Sequence, residues 1–145
     1  MPAGEEDCEM DVAGLRDRTR REVRLDEDWF HLFALADMIR TLRAESAYAS
    51  SGHSGLLLLK NEHLRVVLEI ARKGVAIGEH TVRGPTVVQV LDGSLELRSD
   101  GETRIAHAGE MAVVPDARPR TLTAKEDCAF LRVLSLAVRS DDRAG

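Results

Sequence analysis

Five histidines, His31, His53, His63, His80 and His107, and two cysteines, Cys8 and Cys128, are the side chains of this sequence best suited to hold a metal ion or move a proton. Their spacing does not build a site. The cysteines are too far apart in sequence to form a metal-spaced pair, and two are too few for the disulfide framework of a secreted domain. His31 falls on a helical stretch, His53 in a turn-rich linker and His63 at a hairpin end, where histidines are usually surface residues. His80 is different, because it opens the strand-like run from Gly78 to Gly101, "GEHTVRGPTVVQVLDGSLELRSDG". Its neighbours Glu79 and Thr81 alternate to the opposite face of a strand, so they leave any pocket that His80 enters. No nucleophile, base and orienting group assemble either: Ser94 and Ser99 are turn residues, and Cys128 lies mid-strand with no identified partner.

The elements that would position these side chains follow from composition and period. The 145 residues suit one domain, and a formal charge of -5 gives no long-range attraction to phosphate backbones or anionic lipid. Nucleic acid is therefore not an expected partner. The N-terminus has no apolar leader, and the longest purely apolar run, Leu56 to Leu59, is far short of a membrane span, so a cytoplasmic protein with no membrane contact is expected. Residues 1–25 mix acids with the basic cluster "RDRTRREVR" and offer little to bury, which predicts a mobile charged arm. Residues 26–50 are expected to be a helix and linker. The helix would run from Asp26 to about Glu45, with Leu32, Leu35, Ala36, Ile39 and Leu42 on one face and Trp29, Phe30 and Phe33 packed on a sheet. "AYASSGHSG" should break it. From 51 to 139 the period changes to that of seven or eight short strands, punctuated by Asn61-Glu62, Lys73-Gly74, Asp92-Gly93, Asp100-Gly101 and Pro115-Asp116, and 140–145 reads as a tail. An all-β sandwich or barrel with an N-terminal α-helix results.

Over roughly residues 56–137 the sequence resembles the cupin family, and within it the small single-domain bacterial (RmlC-like) cupins. The likeness rests on Gly78, His80 and "VVQVLDGSLEL" ending a first motif at Gly93, and on "AGEMAVVPDARPR", from Gly109 through Pro115, as a second. It implies a double-stranded β-helix, the cupin jelly-roll barrel, with a pocket in the barrel mouth. The family's metal sites take two histidines and a carboxylate from the first motif and a histidine from the second. Counted from Gly93 and Gly109, those places hold His80, Val82, Thr86 and Arg120. An isopropyl group and a guanidinium have no lone pair to give a cation, so the metal-binding motifs are degenerate and no metal or other cofactor is expected.

In the family's register the pocket is lined by Thr86, Val88 and Val90, with Met111 and Val113 facing them. His80 and Arg120 stand at the mouth, and Arg83 and Arg118 on adjoining loops. Such a cup suits a small anion or carboxylate; alternatively Arg120 runs out over the rim and His80 bonds a backbone carbonyl. His107 should point outward and Ala106 inward. The functional expectation is a metal-free cupin-fold binding module, its ligand site made by His80, Thr86, Val88, Met111 and Arg120. The alternative is a cupin-type isomerase, lyase or dioxygenase with an atypical metal or acid–base site around His80. Val87 and Leu91, with Gln89 between them, would face outward and be covered by the helix, by a second copy in a homodimer, or by both.

Overall fold

The computed structural model describes residues 21–22, 30–79, 84–115 and 120–135. His80, Val82, Arg83, Arg118, Trp29, the 140–145 tail and nearly all of the 1–25 arm lie outside them.

Turn chemistry sets the strand boundaries. After β2 (His53–Lys60) the Asn61 side chain accepts the amides of His63 and Leu64 and folds the chain into β3 (Leu64–Ala71). β4 (Ala76–Glu79) follows, and then β5 (Thr86–Asp92) ends at Gly93. Gly93 has φ 77°, and a Cβ there would stand 2.2 Å from the Asp127 carbonyl oxygen, so only glycine fits. β6 (Ser94–Ser99) and β7 (Glu102–His107) form a hairpin around Asp100 and Gly101, both at positive φ as a primed two-residue turn requires. β8 (Met111–Val114), β9 (Arg120–Ala124) and β10 (Cys128–Ser135) complete the set.

The strands pair into a six-stranded sheet in the order β1-β2-β3-β10-β5-β8 and a four-stranded sheet in the order β4-β9-β6-β7. Every pairing is antiparallel except that of β1 (Arg21–Glu22), which lies parallel to β2 opposite Leu56 and Leu57. That short strand falls within the segment expected to be a mobile arm. The inner faces of the two sheets meet in one core: Ala71, Val88, Val90, Cys128 and Phe130 from the larger sheet pack with Ile77, Leu95, Ala106, Leu122 and Ala124 from the smaller. The jelly-roll expectation is borne out.

The helical region differs from its expectation. α1 spans Leu35–Arg43 and α2 spans Ser46–Ser51, so the "AYASSGHSG" stretch holds a second helix and the start of β2 instead of a break. Residues 30–34, including His31, are not helical. A helix this short is stabilised by the face it buries, and that face begins at Leu35: Ile39 and Leu42 are buried, with Phe33, Leu35 and Met38 packed beside them on Leu58, Leu68, Ile70 and Ala129. Phe30 and Leu32 precede it and are 72% and 90% exposed; Ala36 also faces water. α2 ends at Gly52 in the left-handed conformation, whose amide returns to the Tyr48 carbonyl at 2.8 Å. Arg72 lies over the Tyr48 ring and donates to the carbonyls of Tyr48 and Ala49, closing that helix end.

Candidate functional site in the barrel mouth

Residues directly opposite one another in a β-ladder share a face, so the register shows which side chains enter the lumen. One row runs Arg65, Leu134, Thr86, Val114 across β3, β10, β5 and β8, and the next runs Leu57, Val67, Arg132, Val88, Ala112 from β2. Thr86, Val88 and Val90 are buried and inward, as expected. Met111 and Val113 are not. They pair with Gln89 and Val87, which puts them on the outer face, and they are 59% and 56% exposed. The inward residues of β8 are Ala112 and Val114, so Met111 does not line the lumen. The family-based register of this strand was shifted by one residue, which exchanges its two faces.

Arg120 opens β9, two residues before the core residue Leu122, and so points inward from the smaller sheet. It is only 4% exposed, and its Nη2 donates to the Thr86 hydroxyl across the barrel. Beside this pair lies a cleft of about 330 Å³ walled by Leu97, Ala112, Val114 and Pro115, with Arg104 and Arg120 among its polar lining. Arg104, whose guanidinium meets Glu102 at 2.7 Å, and Leu97 were not expected at the site. Thr86 and Arg120 stand at two of the four places to which the cupin resemblance assigned metal donors. A hydroxyl already accepting from a buried guanidinium, with that cation beside it, does not fit a divalent ion. Among the described residues no three His, Cys, Asp or Glu side chains are grouped to hold one.

A second polar group lies on the same inner face. Glu69, fully buried, receives Arg132 through Nε at 2.7 Å and meets its Nη2 at 2.6 Å, both on Oε2. Its other oxygen, Oε1, is 2.8 Å from Nε2 of His53. Gly55 stands opposite Glu69, where a Cβ would crowd the Glu69 Cγ at 3.2 Å and the Leu68 carbonyl oxygen at 2.9 Å. His53 is therefore the first residue of β2 and tied to a buried carboxylate, not a linker histidine. The other described histidines stay at the surface. His63 sits exposed at the β2–β3 turn, and His107 points outward opposite the inward Ala106, its amide held by Glu110 at 2.8 Å. The N–H bond from His107 draws the Glu110 carboxyl below its ordinary range. Burial pushes the Cys128 thiol up to about 12, which leaves it no thiolate near neutral pH.

The fold is matched by solved structures. A cupin superfamily protein from Desulfitobacterium hafniense superposes with a TM-score of 0.57 at 15% identity over 59% of this chain and 79% of its own. The chain has the cupin fold. An RmlC-like cupin from Desulfovibrio desulfuricans gives 0.54 at 21% identity, covering 61% of this chain and 87% of that one. A conserved protein of unknown function from Streptococcus pyogenes gives 0.57 at 28% identity, covering 60% and 76%. No family model matches the sequence, and no curated protein does. Within this cupin barrel the sequence placed Thr86, Val88 and Arg120 correctly at the inner face; what they bind is a separate matter.

Proposed function

We propose that this cupin-fold protein is a binding module for a small carboxylate, taken into the barrel mouth without help from a metal ion. The observation that carries the reading is the buried Arg120–Thr86 pair beside the cleft. A guanidinium fork matches a carboxylate in two parallel bonds, and holding it by Thr86 in advance reduces the entropy lost on binding. Leu97, Ala112, Val114 and Pro115 supply an apolar wall for the body of the ligand. His80, expected at the same mouth, lies outside the described residues and is not needed for this reading.

Calorimetric titration of the full chain with butyrate and with butanamide, the neutral isostere, tests it. Butyrate should bind about tenfold or more tightly than the amide, and Arg120→Gln should remove that preference, since a charged hydrogen bond contributes about 1.5–3 kcal/mol. Equal binding of acid and amide, or a preference that survives Arg120→Gln, would refute the proposal. Thermal melting of the variant establishes that it is folded.

A further inference from the structure

A polar row crosses the inner face of the smaller sheet at the mouth. Leu97 stands opposite Leu122 and Arg98 opposite Thr121, so the next positions of the two strands are Ser99 and Arg120. Ser99 in turn stands directly opposite Glu102 of β7. Side chains two positions apart on a strand share a face, as do those directly opposite one another, so all three lie on the face of Leu97 and Leu122. All three also line the cleft, with the apolar Ala112 and Val114 of β8 in its wall. A cation, a hydroxyl and an anion therefore follow one another across β9, β6 and β7.

Glu102 does not suit a site for an anion alone. A carboxylate in the cleft repels the anion that Arg120 attracts, over a distance at which exposed charges are incompletely screened. Its Oε2 accepts from Nη2 of Arg104 at 2.7 Å, and among the described residues nothing bonds its Oε1. Arg104 stands one row deeper, opposite Leu97. The two side chains are open to water, Arg104 at 77% and Glu102 at 66%, and an exposed pair of this kind contributes little to the fold. Glu102 thus offers a free carboxylate oxygen in the row that begins at Arg120.

We propose that the ligand is a short ω-amino acid laid along this row, its carboxylate on Arg120 and its ammonium on Glu102. The proposal rests on the small-carboxylate reading above and adds the far end of the molecule. Two strand spacings set the Cα atoms of Arg120 and Glu102 about 10 Å apart. For side chains that project side by side, a charge-assisted hydrogen bond of about 2.8 Å at each end leaves about 4–5 Å for the ligand. About three methylenes between carboxylate and ammonium span that length, whereas an α-amino acid, with both groups on one carbon, falls short of it. Glu102 would also select by repulsion, turning away a ligand with a second carboxylate at its far end.

Butyrate, 4-aminobutyrate and succinate share a four-carbon chain and differ at its far end, which is neutral, cationic or anionic. Calorimetric titration of the full chain in one buffer of low ionic strength should rank 4-aminobutyrate first, butyrate second and succinate last. The amino acid should bind about threefold or more tightly than butyrate, the gain expected of one exposed charge pair. Glu102→Gln, which keeps the shape and removes the charge, should bring 4-aminobutyrate to the affinity of butyrate or below it; should that variant not fold, Glu102→Asp, which draws the charge back, should still lower the ratio. Equal affinities of 4-aminobutyrate and butyrate in the unaltered protein, or a preference that survives Glu102→Gln, overturn the amino-acid ligand and leave the carboxylate reading standing. Tightest binding of succinate does the same, because it would put Arg104 at the far end in place of Glu102. Binding of none of the three overturns both.

Discussion

Glu69 shows why part of this site was hidden at the residue scale. In "LRVVLEIA" the charged members Arg65 and Glu69 alternate with Leu64, Val66, Leu68 and Ile70, which reads as an apolar face turned inward and a charged face turned to water. Both faces of β3 are in fact covered, one by the opposing sheet and one by the helices, and the charged set is the one in the lumen. The usable signal was a complementary pair, Glu69 and Arg132, each embedded in a strand apolar on both sides. Thr86, Val88 and Arg120 were legible because motif glycines anchor their register; Met111 was lost to a shift of one residue. Removing one member of a buried ion pair strands the other, so Glu69→Ala should destabilise the fold by about 3–5 kcal/mol in chemical denaturation. A loss below about 1 kcal/mol would mean that Arg132 is not held as described. Cys128 gives the pH counterpart. Its folded thiol, pushed up to about 12 from an ordinary 9.0, binds its proton more tightly than the unfolded chain does. The stability this contributes is intact below about pH 9 and is lost as pH rises toward 12. Alkylation of Cys128 at pH 8 should accordingly be at least tenfold slower in the folded protein than in denaturant; equal rates would contradict its burial.

At the scale of elements, strands were easier to locate than helices, and the reason is physical. Each turn carries its own chemistry, as Asn61, Gly93 and the Asp100-Gly101 pair illustrate, whereas a short helix depends on the surface it covers. Leu32 and Ala36 satisfy the helical period as well as Leu35 and Ile39 do, yet only the latter pair meets the sheet. α1 has no side-chain cap at Ala34, so little besides burial holds its first turn. Leu42, at 1% exposure the deepest residue of the helix, should therefore carry much of its attachment. Leu42→Ala is expected to cost about 2–5 kcal/mol, while Leu32→Ala, on a side chain already in water, should change stability by less than about 0.5 kcal/mol. Reversal of that order in thermal or urea unfolding would show that the helix docks through a different face.

For the whole molecule, the described residues cover only about half of the outer face of the larger sheet. The helices take the part around Leu68, Ile70, Ala129, Leu131 and Leu91, so of the covers expected over Val87 and Leu91, the helix, a second copy or both, the helix cluster reaches Leu91. From Val66, at the edge of the helix cluster, Val133, Val87 and Val113 continue directly opposite one another across four neighbouring strands, with Gln89 and Met111 in the adjoining row. This band contains no charge, and its Met111 and Val113 are more than half exposed. An uncharged, gently twisted aliphatic band is complementary to its own copy, because a two-fold axis through it sets aliphatic against aliphatic with no like charges opposed. Each large aliphatic withdrawn from water contributes up to about 1.5–3 kcal/mol, and a two-fold contact counts each residue twice. We therefore predict a homodimer through this band, with Val87, Met111 and Val113 at its centre and Leu91 excluded from it. Sedimentation equilibrium at micromolar concentration should give twice the 16.0 kDa chain mass. Val113→Glu or Met111→Lys should return it to one chain without unfolding, since both side chains already face outward. A single 16.0 kDa species in the unaltered protein, or a dimer indifferent to both substitutions, would place self-association elsewhere or deny it.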